Sequence, residues 1–291
     1  MYLTDAFKSW LKEVQQKVGQ AIDEALAEMI PCSVSAASEV LDGFSLQRRI
    51  QTAAGIVMSD SLQPVSKELM DREPVDRRVR CLKFTSEEGT VVATLVQAIC
   101  HPVHEMCMPH VSAEFPGELC NTLDKPGLNG ISLFFNGAAG DTNPPTVSMG
   151  PEYAAKHGLA LAKTVQEQRY TELKVSSFSF ERTEIQFAVR PGSGITNPSD
   201  ALARISVLKF GHMAIAFLPG EIFVETALEI ETNAALEQVM IIGFSENNIG
   251  YVPTKTAFNQ GGYEIGPGKW SFLEQGAERL IVKYAVRLLG N

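Results

Sequence analysis

The chain has 291 residues, of which 45% are hydrophobic and 20% are charged, a composition typical of a globular protein rather than a disordered one. A chain of this length can bury a full hydrophobic core, and no repeat or low-complexity linker divides it, so we expect residues 1–291 to form a single domain. The net charge of −9 and the scattered Lys and Arg residues argue against nucleic-acid binding.

Targeting signals and cysteine usage set further limits. No run of about 18 apolar residues is present, so the sequence predicts no transmembrane segment. Charged residues between Asp5 and Glu24 interrupt any apolar run of a signal peptide. The five cysteines lack CxxC spacing, which predicts free thiols and favours a cytoplasmic location. The oligomeric state stays open.

The first predicted element is an amphipathic helix over residues 4–30. Its apolar residues recur at three- and four-residue steps, Thr4 is a suitable N-cap, and Pro31 ends the pattern. We expect this helix to pack its apolar face against a larger body.

The following elements alternate between strands and helices. Predicted strands, several joined as hairpins, are residues 79–84, 91–100, 131–135, 203–210, 213–218 and 239–244; predicted helices are residues 153–168, 221–235 and 270–289. The segment 174–189 is predicted as two extended pieces. This order predicts an α/β fold, a mixed β-sheet core covered by helices.

Polar side chains follow several of the predicted strands. His101, Asn143, Glu221 and Tyr251 each lie near a strand end that enters a Gly- or Pro-rich loop. Such side chains converge on one rim of a sheet, and a histidine, a carboxylate and a phenol suit zinc. Structural alternatives stay open: Glu221 could stabilise a helix N-terminus, and Tyr251 could be a packed aromatic residue.

A set of motifs in fixed order extends the interpretation. They are Gln47-Arg48-Arg49, Val75 to Phe84, Cys100-His101-Pro102, Val111 to Gly117, Asn136 to Pro144, Leu218-Pro219-Gly220-Glu221, Gly250 to Thr254 and Gly261-Gly262-Tyr263-Glu264. From Asp42 to about Leu288, their order and spacing resembles the catalytic domain of the neutral/alkaline, non-lysosomal ceramidase family. The resemblance implies a hydrolase that cleaves the amide of N-acylsphingosine or a related lipid amide.

The resemblance also implies roles for individual residues. Zn²⁺ would be held by His101, Glu221 and Tyr251, and metal-activated water would attack the amide carbonyl. Tyr263 and Arg48 would stabilise the oxyanion, and Asn143 stands where the family has a substrate-contacting serine. His104 is the weak candidate for a proton donor to the leaving amine.

Two departures from the family pattern define the alternatives. The family takes a further zinc-ligating histidine from a His-x-His-Ser-Gly motif that precedes the first helix, and this chain begins after that point; the family's C-terminal β-sandwich also has no counterpart here. One alternative is therefore a catalytically silent or differently specific family member with an incomplete metal site. Another is a carbohydrate- or lipid-binding protein that uses the same rim without metal.

Overall fold

The computed structural model describes residues 4–125 and 130–290, which form seven α-helices and fifteen strands. The helices are α1 (Asp5–Ala27), α2 (Lys67–Met70), α3 (Glu114–Leu123), α4 (Pro151–Glu167), α5 (Val224–Asn233), α6 (Lys255–Gln260) and α7 (Ala277–Leu289). The strands are β1 (Cys32–Val40), β2 (Leu46–Gln47), β3 (Arg49–Thr52), β4 (Gly55–Met58), β5 (Arg78–Ser86), β6 (Val91–Ala98), β7 (Ile131–Asn136), β8 (Thr142–Asn143), β9 (Thr171–Glu172), β10 (Phe178–Gln186), β11 (Leu202–Phe210), β12 (Met213–Phe217), β13 (Glu221–Ile222), β14 (Gln238–Ile242) and β15 (Tyr251–Val252).

Two larger sheets organise the fold. The first has five strands in the order β7-β6-β5-β1-β9, and the second has four in the order β10-β11-β12-β14. β6 pairs with β7 in parallel, as does β12 with β14, while the other pairings in these sheets are antiparallel. Both sheets are therefore mixed, as the sequence predicted.

The two sheets pack against each other, and each has helices on its outer face. Alternate residues of a strand point to opposite faces, so Cys81 of β5 packs with α3 and α4 while Leu82 packs against the second sheet. On β12, Ile215 faces the first sheet, and Ala214 lies in the cluster formed with α5 and α7. The result is one α/β domain with four layers, which confirms the predicted fold class.

Helix α1 differs from the expectation. Thr4 caps it through a hydrogen bond from the Phe7 amide to Thr4 Oγ1, at 3.3 Å. None of its residues is buried, however, and Trp10 and Ile22 are each 55% exposed. The predicted packing of its apolar face was wrong, because periodicity shows that one face is apolar but not what covers it.

The bounds of other helices and strands also differ from those predicted. Glu221 lies in the short strand β13 and α5 begins at Val224, so Glu221 does not open a helix. Residues 178–186 form one strand rather than two pieces, and the last helix begins only at Ala277. Within the described ranges, no helix is both long and apolar enough to cross a membrane.

Candidate functional site

Three of the predicted site residues, Asn143, Glu221 and Tyr251, lie in two very short strand pairs. β2 and β8 are antiparallel, with Gln47 opposite Thr142, and β13 and β15 are parallel, with Glu221 opposite Tyr251. His101, which follows β6, joins them through a 3.1 Å hydrogen bond from its amide to the Thr142 carbonyl. The two strand pairs and His101 thus come from five parts of the chain that are distant in sequence.

Two glycines allow this close approach. Gly140 donates its amide to the Ile222 carbonyl at 2.8 Å, and a Cβ at Gly140 would lie 2.5 Å from the Glu221 carbonyl oxygen. Gly220 has a φ of +68°, and a Cβ there would lie 2.4 Å from the Gly250 carbonyl oxygen. The backbone position of Glu221 therefore depends on the absence of side chains on both sides.

His101 faces Glu221 directly. The ring Nδ1 lies 3.0 Å from the Thr142 carbonyl oxygen, which can only accept, so Nδ1 carries a hydrogen. The ring Nε2 lies 3.0 Å from Glu221 Oε2. In the neutral ring with Nδ1–H, this nitrogen presents a lone pair to a carboxylate, so a cation, either a proton or a metal ion, is required between them.

Tyr251 completes a set of three converging donors. Burial raises the pKa of its phenol; the charge of Arg48 acts in the opposite direction, and Glu221 raises the pKa further. Its ring centroid lies 5.7 Å from that of Tyr263. A protonated phenol between a guanidinium and a carboxylate can donate to one partner and accept from the other.

Arg48 lies at the centre of the site and is only 5% exposed. Its Nη1 donates to Asn143 Oδ1 at 3.3 Å and lies 3.5 Å from His101 Nδ1. Its guanidinium carbon lies 5.3 Å from the Tyr251 ring centroid. Burial, the largest single effect, lowers the Arg48 pKa, but the charges and hydrogen bonds of Glu264 and Tyr251 together outweigh it and raise that pKa. Asn143 is thus engaged by Arg48 through its side-chain oxygen.

The sequence interpretation missed Glu264. This carboxylate is 0% exposed; its Oε1 accepts from Arg48 Nε at 2.8 Å, and its Oε2 accepts from Arg49 Nη1. Arg49 Nη2 in turn donates to the Gly261 carbonyl at 2.6 Å. The available signal was the position of an acidic residue directly after Tyr263, within a motif that contains a candidate site residue.

The outer rim of the site is aromatic. Tyr263 is 51% exposed and stacks on Trp270, with ring centroids 5.8 Å apart and an interplanar angle of 3°. Phe244, which is 44% exposed, places its ring 5.8 Å from that of His101 in an edge-on arrangement. The polar centre is therefore bordered by surface suited to an apolar or planar ligand.

His104 does not join the site. It is buried, and its Nε2 lies 3.1 Å from Nδ1 of the equally buried His157. Asp141 is also buried but accepts from Gln47 Nε2 at 2.7 Å and from the Val224 amide at 2.9 Å, at the start of α5. Burial raises the Asp141 pKa to about 6. Asp141 therefore caps the start of α5, and His104 is too enclosed to protonate a ligand.

The donor set is compatible with a metal ion, although it is small. Across residues 4–125 and 130–290, no group of three or more His, Cys, Asp and Glu side chains is placed to hold a metal. The site offers one imidazole, one carboxylate and the Tyr251 phenol. Donation of the second ring N–H to a backbone carbonyl, as His101 does to Thr142, is the usual support of a metal-ligating histidine. Three protein donors with an open position correspond to the ligand count of catalytic zinc sites.

A cavity of about 560 Å³ lies elsewhere, between β1, β5, α5 and β14. Two of its three arginines, Arg78 and Arg80, are both paired with Asp76 and Glu231 at 2.7–3.0 Å. None of the six predicted site residues lines it. Since none of the predicted site residues lies here, the candidate site is the rim and not this cavity.

Comparison with solved structures identifies the fold. The crystal structure of neutral ceramidase from Pseudomonas aeruginosa matches with a TM-score of 0.67 and 17% sequence identity, over 93% of this chain and 54% of that chain. A ceramidase complexed with C2 matches with a TM-score of 0.70 and 13% identity, over 92% of this chain and 54% of that chain. The chain has the fold of these ceramidases.

The comparison has a defined extent. The chain spans about half the length of both ceramidases. Neither a protein-family model nor a curated protein matches the sequence. The structure therefore confirms the predicted α/β fold, and its fold matches that of ceramidases. The roles of the site residues stay predictions.

Proposed function

We propose that this chain hydrolyses the amide bond of a lipid, an N-acylsphingosine or a related N-acyl compound, at the site that contains His101, Glu221 and Tyr251. The observation that carries the proposal is the facing pair His101 Nε2 and Glu221 Oε2, 3.0 Å apart, with the imidazole hydrogen held on Nδ1. The fold shared with two ceramidases supports the same function.

His101, Glu221 and Tyr251 would hold a zinc ion. When bound, zinc activates water and polarises a carbonyl group. The Thr142 carbonyl keeps the His101 tautomer that presents Nε2 to the ion. Arg48 and Tyr263 would donate hydrogen bonds to the acyl oxygen as it gains charge, and Asn143 would orient Arg48 by accepting from Nη1.

An apolar acyl compound fits the border of this site. Tyr263, Trp270 and Phe244 expose aromatic surface beside the polar centre. Contact with these rings would remove the apolar chain of a lipid amide from water, while the amide group reaches Arg48.

The test combines metal content with hydrolysis. Purified protein is reconstituted with zinc, its bound zinc is measured by atomic spectroscopy, and release of fatty acid from a short-chain N-acylsphingosine is followed. We expect about one zinc per chain and measurable turnover, with both lost in His101→Gln and Glu221→Gln. The exposed His212→Gln serves as the matched control and should behave as wild type. Wild type without zinc or turnover under these conditions would overturn the proposal.

A second candidate is a metal-poor relative that is silent or acts on another amide. It is favoured by the donor set itself, which has only two of the usual acidic, imidazole or thiol ligands among the described residues. This candidate predicts that zinc raises the melting temperature of wild type and Glu221→Gln equally. A shift confined to wild type supports the first candidate instead.

A further inference from the structure

The buried arginine at the centre of the site has one group without a partner. Nη2 of Arg48 forms no hydrogen bond with any described residue, although it is buried. The other two nitrogens of this guanidinium each have a partner, with Nε donating to Glu264 at 2.8 Å and Nη1 to Asn143 at 3.3 Å. A buried donor without a partner is energetically costly, so a ligand oxygen that accepts from Nη2 would be stabilised there.

The geometry of the guanidinium makes the unpaired state of Nη2 unexpected. Nη2 lies on the same edge as Nε, and an arginine on that edge usually binds a carboxylate through both nitrogens. Glu264 contacts that edge, but with Oε1 alone. Its Oε2 accepts from Arg49 Nη1 instead.

Arg49 is held firmly in this position. It is 6% exposed, its Nη2 donates to the Gly261 carbonyl, and its guanidinium carbon lies 5.5 Å from the Phe223 ring centroid. Glu264 is itself fixed by its neighbour Ser271, whose hydroxyl donates to the Glu264 carbonyl at 2.5 Å. Both partners are therefore set before any ligand arrives.

We propose that Arg49 is a positioning residue: by occupying the second oxygen of Glu264, it keeps Nη2 of Arg48 available for a ligand carbonyl or carboxylate oxygen. Without Arg49, Glu264 would bind Arg48 through both oxygens and consume Nη2. The specificity of the site for an acyl oxygen thus depends on a residue that does not touch the ligand. The identity of that oxygen as an acyl group rests on the proposed function.

The test measures binding of two probes that cannot be hydrolysed, hexanoate and hexan-2-one, by NMR titration of wild type and variants. Hexanoate carries a charge and hexan-2-one is neutral. Loss of a hydrogen bond weakens binding of both probes, whereas a change in local charge mainly affects hexanoate. Arg49→Met should weaken both probes about tenfold, the change expected when one hydrogen bond to a charged donor is lost. Arg49→Lys, which retains a cation at Oε2, should bind within about twofold of wild type.

A double variant tests whether Glu264 is the group that pairs with Nη2 of Arg48 when Arg49 is removed. In Glu264→Gln the side chain retains one acceptor oxygen, so it cannot bind both nitrogens of Arg48. Arg49→Met combined with Glu264→Gln should therefore recover most of the affinity that Arg49→Met alone loses. Thermal unfolding of each variant identifies any that fail to fold, and Arg49→Lys with the double variant still decides the outcome if Arg49→Met is unstable.

Several results would overturn the inference. These are unchanged affinity in Arg49→Met, weakening of hexanoate alone, no recovery in the double variant, or no saturable binding of either probe to wild type. Hydrolysis is not measured in this experiment. A chain that binds both probes as expected but cleaves no lipid amide would refute the proposed function and leave the role of Arg49 intact.

Discussion

Mild acid is expected to destabilise the folded chain, because the buried His157 stays neutral while the same histidine takes up a proton in the unfolded chain. Its side chain is enclosed, with the ring stacked at 4.0 Å on Phe115 and Nδ1 lying 3.1 Å from His104 Nε2. Burial, with a smaller contribution from His104, lowers the His157 pKa to about 3. An unfolded histidine has a pKa of about 6.5. Because the folded pKa is depressed, the unfolded state gains protons first, and stability present above about pH 6.5 is lost as the pH falls toward 3.

The size of the effect follows from the two pKa values. Between pH 7 and pH 5 the unfolded histidine becomes almost fully protonated while the folded one stays neutral, which corresponds to about 2 kcal/mol of unfolding free energy. His157→Phe keeps a ring against Phe115 but removes the titrating group. Urea unfolding at both pH values should show that the pH dependence of the free energy of unfolding is about 2 kcal/mol smaller in the variant than in wild type.

Comparing the pH dependence of the unfolding free energy in wild type and in His157→Phe cancels the contributions of other titrating groups that both proteins share. Asp141, whose pKa is raised to about 6, changes stability in the opposite direction, but it does so in wild type and variant alike. His212→Phe, at an exposed position, is the control and should retain the wild-type slope. Equal slopes for wild type and His157→Phe would refute the reasoning.

Three further predictions concern the site and α1. Gly140→Ala places a Cβ 2.5 Å from the Glu221 carbonyl oxygen. This variant should lower the free energy of unfolding by about 1–3 kcal/mol and should bind zinc more weakly. A normal melting temperature and a normal zinc affinity would contradict the close approach at Gly140. Glu264→Leu leaves Arg48 and Arg49 buried without their carboxylate and should cost about 3–5 kcal/mol in chemical unfolding, whereas an exposed-pair control, Glu184→Leu, should change little. Deletion of residues 1–30 should leave the melting temperature within a few degrees of wild type, since α1 contains no buried residue, and a large drop would show that α1 packs on the domain.

The sequence predicted the class of the fold more securely than the partners of its elements. β11 and β12 form one of the predicted hairpins, because two apolar runs separated by a glycine are a local signal; Gly211 has a φ of +60° at the turn. The exposed face of α1 was not predictable, since burial depends on segments distant in sequence. The short strand β13 was also missed: it consists of two residues, and its pairing with β15 is not encoded near Glu221.

The candidate site shows the same division. Strand ends followed by Gly- and Pro-rich loops identified His101, Glu221 and Tyr251, and the structure brings all three beside Arg48. The sequence did not predict the roles of Glu264 and Arg49. The Glu264 carboxylate neutralises the buried Arg48 and Arg49, and the need for that neutralisation is evident only when burial is known. Their roles, like those of the predicted ligands, stay predictions for the experiments above.

The bond between Arg48 and Glu264 joins residues 216 positions apart, and the contact of His101 with Glu221 spans 120. A ligand seated among these groups would therefore act as a tether between the early and late parts of the chain. Binding to the assembled state alone raises the free energy of unfolding by mass action. Binding of a ligand at the site should thus make the whole domain more resistant to proteolysis, and the rate of proteolysis measures that binding for any ligand.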